Sequence, residues 1–113
     1  MKTRRLLLLD DDALAAAVLA DSFRSLGWEV HACSRPAELL HRLAHDRPDA
    51  VLLDFVLPDT DGAALCAAIR LAPGARLPVL LFSGSDVDPE LARAAGADGM
   101  FPKPVPVEQV HQR

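Results

Sequence analysis

The chain places its chemically capable side chains at the ends of apolar runs. Asp10-Asp11 follows Leu6 to Leu9, Asp54 follows Ala50 to Leu53, Ser83 follows Val79 to Phe82, and Lys103 lies just past a short apolar stretch at 99 to 101. Clustered carboxylates raise one another's pKa unless a cation compensates. An oxygen-only set of this kind suits a hard divalent ion such as Mg²⁺, which keeps some of its waters and binds phosphate oxygens. Lys103 supplies a further positive charge and Ser83 a hydroxyl donor. With metal and amine neutralising the transferred oxygens, a carboxylate can serve as a phosphoryl acceptor. No Cys-His pair, Ser-His-Asp order or glycine loop of the Walker type offers a competing chemistry.

Each of these residues also has a structural explanation. Asp11 or Asp12 can cap the helix that follows, and Asp54 can open an ordinary turn. Ser83-Gly84 and Lys103-Pro104 are common turn sequences. Joint placement outweighs these readings, because all four signals fall on one edge if the apolar runs are parallel strands.

The elements between them support that arrangement. Leu6 to Leu9 is a continuous apolar run, as expected of a strand covered on both faces. From Asp12 the period becomes helical, with Ala15, Leu19, Phe23 and Leu26 as its stripe and Gly27 as its stop. Trp28 to Cys33 reads as a second strand. Ser34 and Pro36 offer a cap and a first-turn proline for a helix carrying Leu40 and Leu43. Ala50 to Leu53 is a third strand, ending in Asp54. Pro58 to Gly62 is a loop, followed by a helix burying Leu65 and Ile69 before Pro73-Gly74. Val79 to Phe82 is a fourth strand, Asp88-Pro89-Glu90 opens a helix that Gly96 stops, and residues 99 to 101 form a fifth strand. A truncated helix begins at Val107.

Short strands alternating with helices predict an α/β fold, a five-stranded parallel sheet with helices on both faces. In the strand order 2-1-3-4-5 the first and third strands are neighbours, so Asp10, Asp11 and Asp54 can converge. Such sheets bind ligands beyond the carboxyl ends of their strands.

Composition narrows the function classes. At 113 residues the chain suits one domain, 1–113. Twelve Lys+Arg against sixteen Asp+Glu, with the cations scattered, argue against direct nucleic-acid binding. No apolar run approaches the ~20 residues that span a bilayer, and the aspartates after Leu9 cut off any signal-peptide core. A cytoplasmic location is the expectation. Cys33 and Cys66 have no metal-ligand spacing and read as buried filler.

The segments LLLLDDD (6–12), PDAVLLDFVLPDTDG (48–62), LPVLLFSG (77–84) and GADGMFPKP (96–104) give the resemblance its specificity. Together they resemble the receiver domain of two-component response regulators, whose fold is flavodoxin-like (CheY-like). The resemblance implies Asp54 as the phosphorylation site. It implies Asp10, Asp11, Asp54 and the Phe55 carbonyl as ligands of Mg²⁺. Ser83 matches the hydroxyl that contacts the phosphoryl group, and Lys103 the family's lysine, with Lys103-Pro104 a cis peptide by analogy. The implied partner is a histidine kinase or histidine phosphotransfer domain, with an output protein or fused output domain downstream. The domain assists its own phosphorylation and dephosphorylation without being a turnover enzyme.

Three departures from the family pattern stand out. Met100 replaces the usual Tyr or Phe, which removes the aromatic rotamer switch and leaves Met100 to core packing. Gly84 replaces an Ala, and the stretch from Ser83 to Lys103 is about two residues shorter than usual. The usual output surface is therefore altered, and this motivates a competing expectation, a docking module that works without phosphorylation. A metal-dependent phosphatase of small substrates lacks a cap insertion and fits less well. Val56 and Ser85 occupy the positions that tune acyl-phosphate lifetime, and apolar Val56 cannot orient a water. The shortened last helix leaves homodimerisation through that face open.

Overall fold

A computed structural model describes residues 3–71, 76–84, 87–103 and 105–112. Five strands, β1 (Arg5–Leu9), β2 (Glu29–Cys33), β3 (Ala50–Asp54), β4 (Val79–Ser83) and β5 (Gly99–Pro102), form one sheet in the order β2-β1-β3-β4-β5. Every pairing is parallel. The connecting helices are α1 (Ala13–Ser25), α2 (Pro36–Asp46), α3 (Gly62–Leu71) and α4 (Pro89–Ala94), and α5 (Val107–His111) follows β5. Among the described residues, no helix is long and apolar enough to cross a membrane.

Strand side chains alternate between two cores because successive Cβ atoms point to opposite faces. Leu7, Leu9, Val51, Leu53, Val79 and Leu81 meet α2, α3 and α4 through Leu39, Leu65, Cys66, Ile69 and Ala92. Leu6, Leu8, Leu52, Leu80 and Phe82 meet α1 and α5 through Ala16, Ala20, Phe23 and Val110. Leu8 and Leu52 are fully buried, each contributing about 1.5–3 kcal/mol of transfer free energy. The central strands therefore read as unbroken apolar runs.

Three local expectations are corrected. The inward stripe of α1 is Ala16, Ala20 and Phe23, with Leu19 half-buried, and Ala15 faces solvent. Small residues at 16 and 20 let α1 lie close to the sheet, which turns Leu14 and Val18 outward. On α2 the fully buried residue is Leu39, whereas Leu40 is exposed. The α2 start has Pro36 in its first turn but Arg35 at the N-cap, with no side-chain cap. Ser34 instead donates its backbone N–H to Glu38 Oε1 at 3.3 Å.

The remaining ends follow their local chemistry. Asp12 caps α1, accepting from Leu14 N and Ala15 N at 3.1 and 3.2 Å, and Asp88 caps α4 through Glu90 N at 2.9 Å. Gly27 and Gly96 take left-handed φ values of 96° and 93° after α1 and α4, a conformation glycine adopts without penalty. The expected stop at Pro73-Gly74 lies outside the described residues. Short α5 is clasped at the sheet's amino edge: Trp28 Nε1 donates to His111 Nδ1 at 2.8 Å, Arg4 donates to the His111 carbonyl at 3.2 Å, and the Arg4 guanidinium lies 4.3 Å from the indole centre.

Candidate functional site

The register brings the polar strand ends together. Leu9 pairs with Leu53 and Asp54 with Phe82, so Asp10, Asp54 and Ser83 share one edge. Carboxylate oxygens of Asp10, Asp11 and Asp54 lie within 4.8 Å of one another. Asp10, Asp54 and Ser83 are buried, whereas Asp11 faces solvent. The Lys103 ammonium donates to Asp54 Oδ2 at 2.9 Å. Lys103 reaches this position because its backbone N–H donates to the Ser83 carbonyl at 3.1 Å, which fastens the end of β5 to β4.

Backbone groups fix the carboxylates. Asp54 Oδ1 accepts from Val56 N at 3.1 Å, and Asp10 Oδ1 accepts from Asp12 N at 3.0 Å. The Phe55 carbonyl accepts from Gly62 N at 2.7 Å and keeps a second lone pair. Met100 is half-buried and packs with the core beneath α2, α3 and α4. A methyl group at Gly84 would lie 3.5 Å from the Lys103 side chain, an ordinary contact, so the site does not require glycine there. Pro104, with its expected cis bond, and Ser85 lie outside the described residues.

Electrostatics shows what the cluster lacks. Burial raises the Asp10 carboxyl above the usual carboxylate value; the Asp12 N–H and Lys103 oppose this, and Asp54 adds to it. Burial works against the Lys103 ammonium, but the hydrogen bond and charge of Asp54, with Asp10 and Asp11, outweigh it and raise the pKa. One ammonium thus faces three carboxylates. The donor set is entirely oxygen and under-compensated, which fits a hard divalent cation.

Asp10→Asn is therefore expected to raise the Tm of the metal-free protein by a few degrees, a scale set by roughly 1 kcal/mol in a domain of this size. The amide oxygen can still accept from Asp12 N. The sign follows from linkage: a carboxyl whose folded pKa is raised loses stability as pH rises from its ordinary value through the raised one. The variant should lack that loss, and thermal melts across acidic to neutral pH check it. Its affinity for divalent cations should fall.

Sequence reasoning missed two features. Gly62, read as part of a loop signal, packs directly against the Asp54 and Phe55 backbone. Cys33, read as filler, stands beside His31 and Glu38.

Comparison with known proteins agrees with the fold. The response regulator receiver domain description matches residues 6–113. Response regulator MprA of Mycolicibacterium vanbaalenii is 36% identical over 111 residues, covering 96% of this chain and 48% of that protein. The chain thus spans about half the length of the curated relatives it matches. A CheY-like receiver domain from Methanospirillum hungatei superposes with a TM-score of 0.84 at 26% identity, covering 98% of this chain and 90% of the other. The signal receiver domain of a modulated diguanylate cyclase from Desulfovibrio desulfuricans gives 0.82 at 31% identity, with coverage of 98% and 90%. Fold and family match define a phosphoacceptor signalling module. The chain belongs to the response regulator receiver domain family.

Proposed function

We propose that Asp54 accepts a phosphoryl group from a phosphohistidine on a histidine kinase or histidine phosphotransfer domain. The observation that carries this is Lys103 Nζ at 2.9 Å from Asp54 Oδ2, inside a cluster whose three carboxylates lie within 4.8 Å. In the reaction an Asp54 oxygen attacks phosphorus, the P–N bond breaks, and its electron pair leaves with the imidazole. The product is an acyl phosphate. Lys103 meets charge on the transferred oxygens, and the Ser83 hydroxyl donates to one of them. Asp10, Asp11, Asp54 and the Phe55 carbonyl are the proposed Mg²⁺ ligands. When bound, Mg²⁺ supplies positive charge against the phosphate oxygens.

Phosphorylation adds charge and strong acceptors at the carboxyl edge, which biases the neighbouring β4–α4–β5 surface toward a second arrangement. An output protein or fused output domain would read that change. The whole 1–113 chain as one receiver and a cytoplasmic location complete the proposal.

The test is incubation with Mg²⁺ and a small-molecule phosphodonor. One phosphoryl group should appear by mass, be removed by hydroxylamine as an acyl phosphate is, and map to the peptide containing Asp54. Modification of another residue, or none, would refute the reading and favour docking without phosphorylation. Val56 is 54% exposed beside Asp54 and offers no side-chain hydrogen bond to a water. The acyl phosphate should therefore outlast seconds; its decay after donor removal measures this.

A further inference from the structure

At the carboxyl end of β2, His31 and Cys33 project from the same face, as residues two apart on a strand do. Glu38, in the first turn of α2, closes over them. One ligand atom from each of the three lies within 4.8 Å of the others. A His31 ring nitrogen is 3.3 Å from Glu38 Oε2, and the other Glu38 oxygen is engaged by Ser34 N at 3.3 Å. We infer that His31, Cys33 and Glu38 form a second cation site, selective for Zn²⁺ or a similar borderline metal.

The donor chemistry separates this site from the acidic edge. Imidazole and thiolate suit zinc, whereas magnesium and calcium prefer oxygen alone. Two ligands at ~2.0 Å from a tetrahedral zinc stand about 3.3 Å apart, the separation His31 and Glu38 already show. The Glu38 carboxylate is oriented by the Ser34 N–H on its far oxygen, the kind of outer contact that fixes metal ligands. Cys33 is 2% exposed and belongs to the core beneath α2, while half-buried His31 and Glu38 open the cluster to solvent. On binding, the sulfur–hydrogen bond is replaced by a sulfur–metal bond and the proton leaves to water. Three protein ligands leave one tetrahedral position for water or a partner's side chain.

Titration of the full chain with Co²⁺, with Mg²⁺ in excess, tests this inference separately from the phosphoacceptor reading. A single equivalent should produce thiolate-to-cobalt charge-transfer absorption that Zn²⁺ bleaches. Asp11→Asn should keep the band and Cys33→Ser should lose it. His31→Gln and Glu38→Gln, both at half-buried positions, should weaken binding by at least about tenfold; they keep the test decisive if Cys33→Ser fails to fold. No band in the folded wild type, a band persisting in Cys33→Ser, or unchanged affinity in both half-buried variants would overturn the site. Those results would leave His31 and Glu38 as a hydrogen-bonded pair bracing β2 against α2.

Discussion

Asp54→Asn should abolish the mass increase that the wild-type chain acquires with Mg²⁺ and a small phosphodonor. The amide oxygen can still accept from Val56 N, and the amide nitrogen takes the place of the oxygen facing Lys103. Removing one charge relieves the crowding with Asp10 and Asp11, so the fold should survive and the loss should be chemical. An amide oxygen is a poor nucleophile and carries no charge to be offset by the metal and the lysine. Lys103→Met probes the other half of the pair. It should slow phosphorylation by roughly 10²–10³, the usual effect of removing one donor aimed at developing oxyanion charge. Because the same change removes a cation from beside three carboxylates, Mg²⁺ should bind more tightly while the reaction slows. A joint loss of affinity and rate would instead mean that Lys103 acts mainly by holding the edge together.

Gly62→Ala is the second large effect, and it acts through backbone. A methyl group there would lie 2.6 Å from the Asp54 carbonyl oxygen and 2.9 Å from the Phe55 Cα. Neither atom belongs to a flexible side chain, so α3 must lift or the segment after β3 must shift. Overpacking of this kind costs about 1–3 kcal/mol or more, and here it also moves the backbone that carries the nucleophile and the proposed Phe55 ligand. We expect a lower urea midpoint and a fall in both Mg²⁺ affinity and phosphorylation rate. Gly84→Ala serves as the control, since its added methyl meets only the Lys103 side chain at ordinary distance. Equal behaviour of the two variants would contradict the close approach at Gly62.

The strands and most element ends were legible because a doubly covered parallel sheet writes itself as short apolar runs, whereas their order, 2-1-3-4-5, came from the family resemblance. The acidic cluster was legible for the same reason, as polar residues that end such runs must share an edge. The inward face of α1 was not. Ala13, Ala15, Ala16, Ala17 and Ala20 give the helix several equally apolar stripes, and only contact with the sheet selects among them. Leu39 and Leu40 pose the same ambiguity on α2. The role of Gly62 was hidden because a loop signal does not say which backbone the loop presses on. The cluster at Cys33 joins a strand to the next helix across a turn, and ordinary cysteine spacing patterns do not register that geometry.

Trp28 is the chain's single tryptophan, and its indole sits in the clasp with Arg4 and His111, before β2 begins. Its fluorescence is thus a built-in gauge of whether the last helix stays docked. The gauge stands at the opposite end of the strands from the acidic edge, a span of about 17 Å for five residues. A change in emission on adding phosphodonor would therefore report motion transmitted along the sheet, and silence would mean that the far end stays still while the chemistry proceeds.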